Sequence, residues 1–164
     1  MITIRKVKEE DTEGIVSLLK QLDKETIFMA LEPGERQTTI EEERLLIKNV
    51  LASDNSMIFV AGKGGQIVGY LGAQGGKVRW AHHRIYLMIG MLQQYTHQGI
   101  STQLFREMEN WARENKFRRL ELTVMTNNQA GLALYKKMGF KIEGIKKVLL
   151  LLTVLKLMNI IWQN

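Results

Sequence analysis

The chain has 164 residues, 45% of them hydrophobic and 24% charged, the composition of one soluble globular domain with a core of its own. It contains no cysteine, which removes disulfide frameworks, thiol nucleophiles and cysteine-based zinc sites; its three histidines, His82, His83 and His97, lack metal-site spacing, so no metal is expected. The net charge of +6 is uneven, because residues 1–60 carry 8 Lys/Arg against 12 Asp/Glu and residues 61–164 carry 15 against 5, so the second part is either a basic solvated surface or a partner for an anion.

Residues 1–13 show no apolar run after a basic start, so neither a secretory signal nor a transit peptide is visible and a cytoplasmic protein is expected. Residues 2–7 alternate as a strand, and Asp11 or Thr12 is placed to cap a helix whose stripe is Ile15, Val16, Leu18, Leu19 and Leu22. Glu32, Pro33 and Gly34 break the chain, and Thr39 with Glu42 makes a capping box for a second helix through Leu45, Leu46, Val50 and Leu51, ended by Ser53, Asp54 and Asn55. The apolar runs 57–61 and 67–73, joined through Gly62, Lys63, Gly64 and Gly65, read as a β-hairpin closed by Gly75 and Gly76. A buried strand over 85–92 leads to a helix over 99–115 with Leu104, Phe105, Met108 and Trp111 on its stripe. A strand over 119–124, a helix over 130–138 ended by Gly139 and a strand from 140–145 complete the order β, α, α, β, β, β, α, β, α, β. That order predicts an α/β (α+β) domain: a mixed, mostly antiparallel sheet flanked by helices, with at least one right-handed parallel crossover.

The turn from Gln94 to Thr102 joins a buried strand to a helix, so the first N–H groups of that helix have no intrahelical partner and suit an anion. Gly99 permits close backbone approach, and Ser101 and Thr102 add hydroxyl donors. A helix start capped by its own side chains is the alternative reading. Here the sequence resembles the GCN5-related N-acetyltransferase (GNAT) superfamily, whose pyrophosphate turn reads Arg or Gln, two residues, Gly, one residue, then Gly or Ala. In Thr96-His97-Gln98-Gly99-Ile100-Ser101 only the central Gly matches. A second motif carries more of the likeness: Asn128, then Ala133-Leu134-Tyr135, then Gly139-Phe140 resembles the family's signature in spacing and order.

The resemblance implies acetyl-CoA as co-substrate, in a sheet splayed at the cofactor site. Backbone groups of Ile89, Gly90 and Met91 would pair with the pantetheine arm, the turn residues His97, Gln98, Gly99, Ile100, Ser101 and Thr102 would hold the pyrophosphate, and Asn128 would reach the cofactor arm or simply cap the next helix. It also implies Tyr135 at the cofactor as the acid that protonates the departing thiolate; a tyrosine on an apolar stripe is otherwise a core residue. The base stays open. Members that acetylate ribosomal-protein N-termini carry Glu where this chain has Thr123, which leaves Glu121 on the same strand face, Tyr86, His83 or a water chain; Glu121 also reads as a surface carboxylate beside Arg118 and Arg119. Glu25, Glu32 and Glu35 make the segment between the first two helices acidic, as recognition of a cationic amine would require.

The expected product is an N-acetyltransferase acting on a primary amine (a small amine, an antibiotic or a peptide N-terminus) by direct attack in a ternary complex. The alternative is a degenerate acyl-CoA-binding or regulatory protein without efficient turnover, to which Thr96, Ser101 and Thr123 point. The basic residues of 61–164 are dispersed without a basic and aromatic motif, so no nucleic-acid partner is expected. The acetyltransferase domain is expected over 1–147. Residues 148–164 form an atypical apolar segment that a shift of reading frame would explain, too short and too interrupted by Lys156 for a membrane span. It can still pair as a strand, or leave an unpaired sheet edge and favour a homodimer.

Overall fold

The computed structural model describes residues 1–25, 37–146 and 151–157. Among the described residues seven strands form one sheet: β1 (Thr3–Lys6), β2 (Met57–Lys63), β3 (Gln66–Gly75), β4 (Arg84–Met91), β5 (Arg119–Met125), β6 (Lys141–Lys146) and β7 (Leu151–Leu157), in the order β1-β2-β3-β4-β5-β7-β6. All neighbours are antiparallel except β4 and β5, which are joined by the crossover helix α3 (Ile100–Glu114). Helices α1 (Thr12–Glu25) and α2 (Ile40–Ala52) precede β2, and α4 (Gln129–Lys137) joins β5 to β6. Among the described residues no helix is long and apolar enough to cross a membrane.

Local chemistry explains most element ends. Gly64 and Gly65 both have positive φ, 58° and 82°, as a two-residue hairpin turn between paired Lys63 and Gln66 requires. Thr39 caps α2 by accepting the Glu42 N–H at 3.1 Å. Gly139, at φ 89°, ends α4, and the Phe140 N–H then returns to the Tyr135 carbonyl at 2.9 Å. The predicted cap of α1 is different: the Asp11 carboxylate accepts the Lys8 N–H at 2.7 Å and closes a preceding 3-10 turn, while also pairing with Arg5.

The core lies between α3 and the sheet, where Leu104, Phe105 and Met108 are fully buried and Trp111 packs edge-on against Phe59. Phe105, Tyr135 and Phe140 form a second edge-to-face cluster that fastens α4 to α3. Residues 151–157 pair with β5 over seven positions, from Arg119↔Leu157 to Met125↔Leu151, so β7 is an interior strand and β6 forms the edge. Lys156, which interrupts the apolar run, pairs with Glu109 of α3 and donates to the Met138 carbonyl at 2.7 Å. The predicted Pro33-Gly34 break and the terminal residues 158–164 lie outside the described residues.

Candidate active site

The parallel pairing of β4 with β5 is short. It joins Arg84, Ile85 and Tyr86 to Arg119, Leu120 and Glu121 and then stops, although both strands continue, among the described residues β4 paired only with β3 and β5 only with β7. The sheet therefore opens above Tyr86. The Leu92 N–H donates to the Val68 carbonyl at 2.9 Å and the Gly76 N–H to the Arg84 carbonyl at 3.0 Å, so even-numbered residues of β4 turn their peptide groups toward β3. By strand alternation, Leu87, Ile89 and Met91 turn theirs into the opening. Gly90, between them, has its peptide groups committed to Tyr70 of β3. Its missing side chain matters on the other side: a Cβ there would stand 2.6 Å from Leu22 Cδ1 of α1 and 2.8 Å from the Tyr70 ring.

The opening leads directly into the turn before α3. His97 and Gly99 both have positive φ, 61° and 78°. No side chain caps the helix; the first intrahelical bond runs from the Gln103 N–H to the Gly99 carbonyl, which leaves the N–H groups of Ile100, Ser101 and Thr102 without intrahelical partners. The nearby polar side chains are occupied elsewhere, the Thr96 hydroxyl on the Gln93 carbonyl at 2.7 Å and the Gln98 amide on the Gln94 carbonyl at 3.0 Å. A self-capped helix start is thus excluded, and the outer turn at His97, Gln98 and Gly99 is exposed. Such a start of a four-turn helix suits an anion.

Beside the opening, α4 presents Tyr135, 8% exposed. Burial pushes its phenol up to about 12, with the nearby Tyr86 and Tyr70 adding to the effect, so it stays a proton donor at neutral pH. Asn128 caps α4, its Oδ1 accepting the Gly131 N–H at 2.9 Å. Tyr86, the last residue of β4 paired to β5, has its hydroxyl 2.7 Å from that of Thr123. Sequence reasoning named Thr123 only as a departure from the family; its hydroxyl joins the two strands where their backbone pairing ends.

Glu121 sits in a ladder of charges rather than free. It accepts from Arg84 Nη2 at 3.1 Å and Arg119 Nε at 2.9 Å, and Arg119 reaches on to Glu143 at 2.7 Å. Burial pushes the Glu121 carboxyl up, but hydrogen bonds and charge from Arg119 and Arg84 outweigh it and hold it below the usual carboxylate range. His83 is exposed at the strand's lower end. Of the predicted acidic segment, Glu25 is described: its carboxylate accepts the Gln93 N–H at 2.9 Å, tying α1 to the start of the turn, whereas Glu32 and Glu35 lie outside the described residues. A groove of about 840 Å³ lies between α1, the β2–β3 turn and Gln93, away from Tyr135.

A sheet splayed beside a parallel crossover, with an uncapped helix start at the mouth of the opening, defines the fold class of the N-acetyltransferases. A sequence profile of the acetyltransferase (GNAT) family matches residues 19–140, well over half of the chain, and the chain belongs to that family. The structure of a GNAT-family acetyltransferase from Streptococcus pneumoniae superposes with a TM-score of 0.91 at 29% identity, over 97% of this chain and all of that one (100%). The Salmonella typhimurium protein yncA, solved with its cofactor acetyl-CoA, shares the fold with a TM-score of 0.85 at 13% identity, over 97% of this chain and 95% of that one. The N-alpha-acetyltransferase RimI of Mycobacterium tuberculosis (strain ATCC 25618 / H37Rv) is 34% identical over 98 residues, 59% of this chain; the match spans 60% of that relative's length.

Proposed function

We propose that this chain transfers the acetyl group of acetyl-CoA to a primary amine by direct attack in a ternary complex. The observation that carries the reading is the opening between β4 and β5, which starts above Tyr86 and ends at the free N–H groups of Ile100, Ser101 and Thr102. Free donors on one strand suit an amide-bearing arm, and free donors at the helix start suit a pyrophosphate, which is the polarity of coenzyme A. Acetyl-CoA supplies the activated thioester. Ile89 and Met91 pair their peptide groups with the arm, while Gly90 keeps α1 close; His97, Gln98 and Gly99 shape the cradle; Asn128 orients the arm as well as capping α4.

At the reacting end a peptide N–H of β4 polarises the thioester carbonyl. The amine nitrogen bonds to the carbonyl carbon as the carbon–sulfur bond breaks. Tyr135 donates its proton to the leaving sulfur and regains one from solvent, and the amine's protons leave through water past the Tyr86–Thr123 hydroxyl pair. Glu121, held by two guanidiniums, is a weak proton acceptor and serves to brace the strands.

The test is a thiol-release screen with acetyl-CoA over small amines, amino acids, antibiotics and N-terminal peptides, alongside calorimetric binding of acetyl-CoA. Turnover of an amine supports the reading. Binding without any turnover favours the acyl-CoA-binding alternative, and the absence of binding refutes both.

A further inference from the structure

The lower end of the paired β4–β5 segment carries a feature that acetyl transfer does not use. Trp80, His83, Arg84 and Arg119 line a hollow of about 410 Å³. Trp80, 71% exposed, lies over the Arg84 guanidinium at 5.8 Å from ring centroid to Cζ. Arg84 uses Nη2 on Glu121, yet its Nε is the one buried side-chain nitrogen or oxygen without a hydrogen-bond partner among the described residues. A withdrawn guanidinium donor with no acceptor is a penalty that a ligand oxygen would remove. Segment 77–84 holds Lys77, Arg79 and Arg84 and no Asp/Glu, and β5 adds Arg119 beside the two carboxylates of the ladder, Glu121 and Glu143.

The hollow lies on the face of the sheet that carries the Tyr86–Thr123 hydroxyl pair. The hydrogen bond from Tyr86 to Thr123 and the pairing of Arg84 with Glu121 put Arg84, Tyr86, Arg119, Glu121 and Thr123 on one face, with Met88 next along it. At a rise of about 3.3 Å per residue, Arg84 lies about 7 Å below Tyr86 and about 13 Å below Met88, the stretch where the opening begins.

Building on the acetyl-transfer reading, we propose that this hollow receives a carboxylate of the acceptor, and that the acceptor is a peptide N-terminus with an acidic residue at its second or third position. A flat two-oxygen anion matches the edge of a guanidinium, and both arginines of the hollow already hold carboxylates within the chain, Arg84 through Nη2 alone and Arg119 through Nε to Glu121 and Nη2 to Glu143. A polyphosphate would bring several charges against Glu121 and Glu143. A free α-amino acid carries its carboxylate on the carbon that bears its nitrogen and cannot span the distance; an extended peptide can, at about 3.3–3.6 Å per residue.

Two peptide pairs are compared, each identical except for aspartate or asparagine, at the second residue in one pair and the third in the other. At least one pair should show a difference of about tenfold in kcat/KM, the aspartate form being better, and ratios near one in both pairs are the negative result. Arg84→Gln should bring that ratio to about one, and Arg84→Lys, which keeps the charge and loses the fork, should leave it between. Because the readout is a ratio within one protein, a partial loss of folding does not distort it. Wild-type ratios near one in both pairs with turnover intact overturn the subsite and leave acetyl transfer standing. If no amine is turned over, calorimetric binding of the two peptide pairs to the wild-type protein decides: tighter aspartate binding in either pair supports the hollow and equal binding in both overturns it.

Discussion

Replacing Tyr135 by Phe removes one oxygen from a ring that keeps its edge-on contacts with Phe105 and Phe140. No hydrogen bond to that hydroxyl occurs among the described residues, so stability at pH 7 should change by less than about 1 kcal/mol. Turnover should not be spared: loss of the acid that protonates the leaving sulfur is expected to lower kcat about 10²–10⁴-fold with KM for acetyl-CoA within about twofold. The phenol also makes a stability prediction that is independent of catalysis. Its folded pKa is raised from 10.0 to about 12, so its contribution is fully present below the unfolded value and is lost as pH rises toward the folded one. Two pKa units correspond to about 2 to 3 kcal/mol, so urea melts at pH 10 and pH 12 should show the wild-type protein losing that much more stability than Tyr135→Phe. With no cysteine in the chain, no thiol titrates in that window. Unchanged kcat would remove Tyr135 from the chemistry, and parallel alkaline losses in the two proteins would refute its buried, raised phenol.

Gly99→Ala places a Cβ at φ 78° with open space around it, so the cost is backbone strain of about 1–2 kcal/mol and a tilted cradle; calorimetry should show weaker CoA binding with little change in the amine KM. Lys156→Met leaves the Glu109 carboxylate, 13% exposed, with only Arg113 at 3.9 Å as an ion partner among the described residues and should cost about 2 kcal/mol in urea melts, part of it restored by adding Glu109→Gln. The lowered pKa of Glu121 makes its ion pairs stabilising above the unfolded value near 4.5 and lost as pH falls through the folded one, so Glu121→Gln should destabilise by about 1 kcal/mol at pH 7 and by clearly less at pH 3.

Much of the fold was legible in the sequence because it is locally encoded. The stripe Leu104, Phe105, Met108 and Trp111, the Gly64-Gly65 turn and the Gly139 helix end each act within a few residues, and all three form as expected. What was not legible depends on partners distant in the chain. The Leu-rich run 151–157 has no period of its own, and β5 on one side and β6 on the other make it an interior strand. Which of Ile89, Gly90 and Met91 offers its peptide groups to the opening follows from the β3 register alone. Glu121 read as a base acting through water or as a surface carboxylate beside Arg118 and Arg119; Arg119 does hold it, but the second guanidinium comes from Arg84, 37 residues away. The Trp80–Arg84 hollow was hidden because those residues fall between the hairpin and the 85–92 strand, where no element was expected, and β5 has to supply Arg119 before it exists.

The charge asymmetry noted in the sequence divides along β4 in an unexpected way. The turn 93–102, where a polyanion would bind, contains no Lys or Arg of its own; peptide N–H groups and the helix dipole supply its attraction, with the Lys63 ammonium 5.4 Å over the Tyr95 ring beside it. The cations gather instead at the opposite end of the strand, in 77–84 and 116–119, a run of β4 away at about 3.3 Å per residue. Among those at the far end, Arg84 and Arg119 already hold carboxylates on the face that carries Tyr86 and Thr123. On this reading one strand carries two anion sites of different chemistry, dipoles for the cofactor and guanidiniums for the acceptor, with the reacting bond between them.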